Sequence, residues 1–327
     1  MGLGQSLRPP AAAQRLPIEV AKLRVGRTPD TAVQVPGYTW DARKDTTVAT
    51  EFGGGRVVLP VPEVDVLVLK ALQEAGAHPN LLPVLDLFRA DKLVFLVTLH
   101  CPGNHLGEAL ANRRRWVAPV LRSVVSPGFE VSIALAWVSQ LLAALCFLHR
   151  HRILHRSVRP ESCILDNPRV VDSNLVLGNY SLSSRLYVDD VMVDRPEESL
   201  KGSASYMAPE LRRPAMSSTT RPLEIKSDCW SAGCVLYVVL TGRPAFNYKE
   251  FPVQADKGKY VVPKNCPTDV TDFLATLLQV DYVQRADAWA AYDAIQVLAG
   301  RYPREVDQPP IPGSLPPSPS PAWVDLS

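Results

Sequence analysis

The chain has 327 residues, 46% of them hydrophobic, with 35 Lys+Arg against 33 Asp+Glu and a formal net charge of +2. That is enough chain for one domain with a substantial core plus tails, and the near balance of charge argues against a nucleic-acid partner. Six cysteines without Cys-x-x-Cys spacing argue against a zinc site and for reduced thiols in a cytoplasmic compartment.

Residues 1–20 read as a flexible, Ala/Pro-containing lead without a signal-peptide core. It opens Met1-Gly2-Leu3-Gly4-Gln5-Ser6, a fit to the myristoylation pattern with Gly2 as acceptor and a small hydroxyl at Ser6. One acyl chain binds membranes with K of only about 10⁴ M⁻¹, so anchoring needs a second signal. Arg8, Arg15, Lys22, Arg24 and Arg27, offset by Glu19 and Asp30, can supply it. The expectation is weak membrane association through the N-terminus.

Residues 21–100 read as a small, sheet-rich lobe. Its glycines, Gly26 and Gly53-Gly54-Gly55, lack the Gly-x-Gly-x-x-Gly spacing that lets backbone amides wrap phosphates. The apolar run 62–72 predicts a helix that leaves through His78-Pro79-Asn80-Leu81-Leu82. Cys101-Pro102-Gly103-Asn104 then leads into a larger helical lobe, 104–300. Within it, Arg113-Arg114-Arg115 reads as a solvated helix face. Ile133 to His149 reads as a buried core helix with Ser139 and Gln140 in its middle, too short in uninterrupted apolar residues for a membrane span. Beyond Arg301, prolines at 303, 309, 310, 312, 316, 317, 319 and 321 mark a tail, 301–327, that forms neither helix nor sheet. It is either a solvated tail or a polyproline II ligand for an SH3- or WW-type partner.

Three motifs in order carry a family resemblance. His155-Arg156-Ser157-Val158-Arg159-Pro160-Glu161 has the outline of a catalytic loop. Gly202-Ser203-Ala204-Ser205-Tyr206-Met207-Ala208-Pro209-Glu210 contains an Ala-Pro-Glu motif. Ser227-Asp228-Cys229-Trp230-Ser231-Ala232-Gly233 opens an apolar helix. Together they resemble the protein kinase superfamily, on its serine/threonine side. The resemblance implies an α+β, bilobal fold with a β-rich N-lobe and an α-helical C-lobe. It implies an ion pair between Glu210 and Arg285, an Asp228 that accepts hydrogen bonds from the catalytic-loop backbone, and structural duties for His155, Arg156, Trp230 and Gly233. In that register His155 packs and hydrogen-bonds within its loop, so His149, His151 and His155 are not read as metal ligands.

The same register exposes what is missing. Ser157 stands where the family's catalytic aspartate accepts the substrate hydroxyl's proton. Magnesium wants oxygen ligands, preferably charged ones, yet Ser162 and Asn179 occupy the two metal positions. Arg159 replaces the lysine that steadies the transferred phosphate, which keeps the charge and changes its shape. Asp65 takes the place of the regulatory-helix glutamate, with Glu63 two residues off. The strand lysine has only Val48-Ala49-Thr50-Glu51 as an echo, which puts Glu51 in its place, with Arg56 as the alternative.

A positioned base contributes about 10²–10⁴ in rate and metal stabilisation several kcal/mol more, so these losses converge on one chemistry. The resemblance is therefore to a catalytically degenerate kinase, a pseudokinase that acts as a protein-binding scaffold or allosteric regulator in signalling. Its partner would be a protein such as an active kinase or its substrate, and no cofactor or metal is expected. The alternative is a divergent, weakly active serine/threonine kinase that uses a substitute base with ATP and magnesium.

Overall fold

A computed structural model describes residues 38–40, 49–51, 56–61, 66–90, 93–99, 101–117, 127–185, 204–212, 221–246, 251–263 and 265–304. Gly2, Glu63, Asp65 and the tail beyond Arg304 lie outside the described residues. The chain divides into two compact units, one drawn from residues 1–77 and 83–100, the other from 78–82 and 101 onward.

The first unit is a five-stranded antiparallel sheet of β1 (Tyr38–Trp40), β2 (Ala49–Glu51), β3 (Arg56–Val61), β4 (Asp86–Ala90) and β5 (Leu93–Leu99), in the order β1-β2-β3-β5-β4. β3 and β5 read RVVLPV and LVFLVTL, β-branched and apolar as sheet positions favour. Helix α1 (Val66–Ala75) follows β3 and buries Val68, Leu69 and Leu72, the spacing of one helical face. The apolar run begins at residue 62, and 62–65 lie outside the described residues; the helix ends before Gly76, whose φ of 89° suits glycine just beyond a helix.

Segment His78–Leu82, expected in the small lobe, packs instead with the second unit. Leu177 N–H donates to Asn80 O at 2.8 Å and Leu82 N–H to Leu177 O at 2.8 Å, while Asn80 Nδ2 reaches Leu175 O at 2.9 Å. The segment's free backbone groups thus find partners on a strand of the helical unit, which decides its allegiance.

That second unit is built around α3 (Val131–Arg150), with α2 (Leu106–Trp116), α4 (Arg221–Thr241), α5 (Phe251–Asp256), α6 (Thr268–Leu277) and α7 (Ala288–Arg301). Two small antiparallel ribbons complete it: β6 (Ile153–Leu154) with β9 (Ser184–Arg185), and β7 (Cys163–Leu165) with β8 (Leu175–Leu177). α3 has the length and composition to cross a membrane, yet Leu135, Trp137, Leu141, Leu142, Leu145 and Leu148 are fully buried by the protein itself. Its two polar interruptions are explained by partners. Ser139 Oγ accepts from Gln296 Nε2 on α7 at 2.7 Å, and Gln140 clamps the β8 entry by donating to Asn174 Oδ1 and accepting from Leu175 N–H.

Arg113 departs from the expected solvated face. Its Nε donates to Gly128 O at 2.6 Å and its guanidinium lies 4.8 Å from the Phe129 ring centroid, while Arg114 and Arg115 are exposed. Gly233 sits where α4 crosses α6, and a Cβ there would lie 2.8 Å from Leu277 Cβ, so only glycine allows the approach.

Candidate functional site: the loop from His155 to Cys163

The loop from His155 to Cys163 is fixed from below by one carboxylate. Asp228, fully buried on α4, accepts from His155 N–H at 2.9 Å, Arg156 N–H at 2.8 Å and His149 Nε2 at 3.0 Å. Burial alone pushes the Asp228 carboxyl up. The hydrogen bonds from the His149 side chain and the His155 backbone are among the effects that outweigh it and hold the group below the ordinary carboxylate value, so it stays ionised. These bonds stabilise the Arg156 backbone at φ 60°, a left-handed conformation that a non-glycine residue rarely adopts.

His155 is buried too. Its Nε2 faces Gly178 O at 2.9 Å, and because a carbonyl only accepts, Nε2 carries the proton. Nδ1 is then free to accept from Ser157 N–H at 3.3 Å. Burial lowers the imidazole's affinity for a second proton, which fits a neutral ring serving as a spacer between the loop and the segment after β8.

Ser157 is 3% exposed, and its hydroxyl has no hydrogen-bond partner among the described residues. A serine is too short to present an oxygen where a longer carboxylate would reach, and its pKa gives it no power as a base near neutrality. Its carbonyl accepts from Ser162 Oγ at 2.7 Å. Asn179 Nδ2 in turn approaches Ser162 Oγ at 3.4 Å, so the two positions that the family uses for metal lie against each other. Asn179 adopts φ 61°, which an asparagine tolerates better than most residues.

A hydroxyl engaged with a backbone carbonyl and a neutral amide offer no anionic oxygen. This donor set does not fit magnesium, a hard ion that is usually held by one or two carboxylates. The loop's own acid, Glu161, pairs loosely with Arg159, its Oε2 3.8 Å from Arg159 Nε.

After Asn179, the aromatic position is Tyr180. Its ring is buried and its hydroxyl donates to Leu82 O at 2.7 Å, with Leu177 O at 3.3 Å as a second acceptor. Sequence reasoning placed Tyr180 at the phenylalanine position without seeing this bond, because the partner carbonyl is 98 residues away.

The scaffold around the loop is complete. Arg285, with no side-chain exposure, meets Glu210 through two contacts, Nη1 to Oε1 at 2.5 Å and Nη2 to Oε2 at 2.9 Å. It also donates to Gln279 O and Lys226 O, and its guanidinium lies 5.0 Å from the centroid of Trp230. Trp230 stacks on Phe246 at 5.4 Å. The short turn Pro209–Arg212 is thereby tied to the start of α4 and to the loop before α7.

In the first unit, sheet order corrects the expected lysine strand. The strand held between the second and the fifth is Arg56–Val61, whereas Val48-Ala49-Thr50-Glu51 runs into β2, one strand outward. β3 contains no lysine; Arg56 opens it and Pro60 interrupts it. Val48-Ala49 is a two-residue echo, too short to outweigh strand pairing, which the sequence does not display. Neither hairpin connection restores the glycine spacing: residues 41–48 contain no glycine and 52–55 contain three in a row.

Comparison with known proteins agrees with the geometry of the second unit. The family described as Protein kinase domain matches residues 65–296. Curated relatives include the hormonally up-regulated neu tumor-associated kinase of Homo sapiens, of Pan troglodytes and of Mus musculus. Each is 28% identical over 253 residues, an alignment that covers 74% of this chain and 31% of the relative. The chain thus spans about a third of the length of these relatives.

Proposed function

This chain belongs to the protein kinase superfamily, and from that premise we propose that it is a pseudokinase, a protein-binding scaffold or allosteric regulator with little or no phosphotransfer. The observation that carries the reading is the contact between Ser162 and Asn179, which leaves a hydroxyl and an amide where two magnesium ions need charged oxygen. Ser157 at the base position and a β3 strand without lysine support it from two further directions.

What remains is suited to presenting shape. Asp228 fixes the loop backbone, Tyr180 fixes the segment after β8, and the Glu210–Arg285 pair fixes the turn before α4. A surface so braced loses little conformational entropy when a protein partner binds, which favours affinity.

The test is thermal stability with millimolar ATP, with and without magnesium. A ligand at 100 times its Kd adds about 2.7 kcal/mol of stability. The expected result is no magnesium-dependent rise in Tm and no phosphate transfer to a generic protein substrate. A clear magnesium-dependent rise would overturn the proposal in favour of a divergent kinase.

A further inference from the structure

Seven large apolar residues are exposed among the described residues, and Val261 (71% exposed) and Val262 (57%) are the one pair adjacent in sequence. Their segment is not loose. Tyr237 Oη donates to Val261 O at 2.8 Å, and Lys259 N–H donates to Gln254 O at 2.8 Å. Tyr260 turns inward, edge-on to Tyr237 at 5.8 Å and to Phe246 at 6.3 Å. Tyr260 is half-buried against these rings, whereas the two valines stand out in water. Lys257 and Lys259 are exposed beside them, with Asp256 the acidic neighbour, and Lys264 follows in the sequence.

We infer that this face docks the chain's own C-terminal segment, Trp323-Val324-Asp325-Leu326. Beyond Arg304 the sequence carries Glu305, Asp307 and Asp325 and no lysine or arginine, a net charge opposite to that of the lysine-flanked valines. Its one apolar cluster is Trp323, Val324 and Leu326, which has the chemistry to cover two exposed valines while Asp325 meets a lysine.

The tail also leaves from a suitable place. Tyr302 Oη donates to Asp269 Oδ1 at 2.8 Å and Arg301 Nη1 meets Asp269 Oδ2 at 3.2 Å. That pins the end of α7 to the first turn of α6, whose first residue, Thr268, lies six positions after Val262 and so at most about 20 Å along the chain. Residues 305–322 can span up to about 60 Å, enough to bring Trp323 back to the valines.

Hydrogen exchange on the full chain tests this directly. Amides of residues 259–262 are expected to exchange several-fold faster in the full chain carrying Trp323→Ala and Asp325→Lys than in the unaltered chain. A synthetic peptide of residues 316–327 added to that variant should slow them again. Lys257→Glu with Lys259→Glu should also release the segment, and adding Asp325→Lys to that pair should restore protection. Equal exchange in all chains overturns the inference. Protection that survives the tail substitutions and grows with protein concentration also overturns it, since a second copy would then be the occupant.

Discussion

Replacing Glu210 by alanine probes the best-defined contact in the C-terminal unit. Arg285 would lose two charge-assisted bonds while its guanidinium stayed without solvent exposure. Removing one partner of a buried pair costs about 3–5 kcal/mol. Arg285 would keep Gln279 O, Lys226 O and the Trp230 face, so the loss belongs at the lower end, about 3 kcal/mol. For a unit of this size that is a fall in Tm of about 6–12 °C. Urea unfolding should show a lower midpoint at unchanged slope, the mark of lost stability without a changed denatured state. Glu210→Gln with Arg285→Met completes a double-mutant cycle, and a coupling of at least about 1.5 kcal/mol is expected. A loss below about 1 kcal/mol for Glu210→Ala, or additive single changes, would refute the claim that the pair anchors the turn before α4.

Ser157→Ala should be neutral or raise stability by up to about 1 kcal/mol, because it removes a buried hydroxyl without a partner; a substantial drop in Tm would show that the hydroxyl matters. Ser157→Asp with Asn179→Asp should not restore phosphotransfer, since β3 still lacks a lysine; robust autophosphorylation would refute that reasoning. Tyr180→Phe should cost about 1–2 kcal/mol by deleting the donor to the Leu82 carbonyl, measurable by urea unfolding, and no loss would mean that the bond is dispensable. Burial lowers His78 from 6.5 to about 4, so the unfolded chain takes up this proton first. Its stabilising share is complete above pH 6.5 and falls by about 1.4 kcal/mol per unit as pH drops toward 4. His78→Gln should flatten the stability profile in that window by this slope, and an unchanged profile would refute the assignment.

Much of the C-terminal unit was legible because its motifs are local and their chemistry is unusual. A buried arginine needs a carboxylate, and Glu210 within Ala-Pro-Glu was a readable partner for Arg285. The long apolar run before His149 was read as a core helix, and α3 is buried by the protein itself. The small unit was harder to read. Its strands are three to seven residues long, and Val48-Ala49 is only a two-residue echo, so only the pairing of β3 with both β2 and β5 decides the strand. That Ser157 is buried could not be read from its position in the loop, because exposure of a loop residue depends on chain brought in from elsewhere. The Tyr180–Leu82 and Gln140–Leu175 bonds were invisible for the same reason: each joins residues dozens of positions apart, with no local signature.

The clamp at Asp228 has a further consequence during synthesis. It ties down His149, His155 and Arg156 across 79, 73 and 72 residues, and Glu210 waits another 75 for Arg285. At about 5–20 residues per second, the ribosome delivers Asp228 some 4–14 s after Arg156 has been made. Until then the loop has no carboxylate to hold its left-handed turn, and the face of α3 that α4 will cover stays open to solvent. The face of α3 that α7 covers waits longer still, so a chaperone that shields residues 131–157 would be useful through this interval.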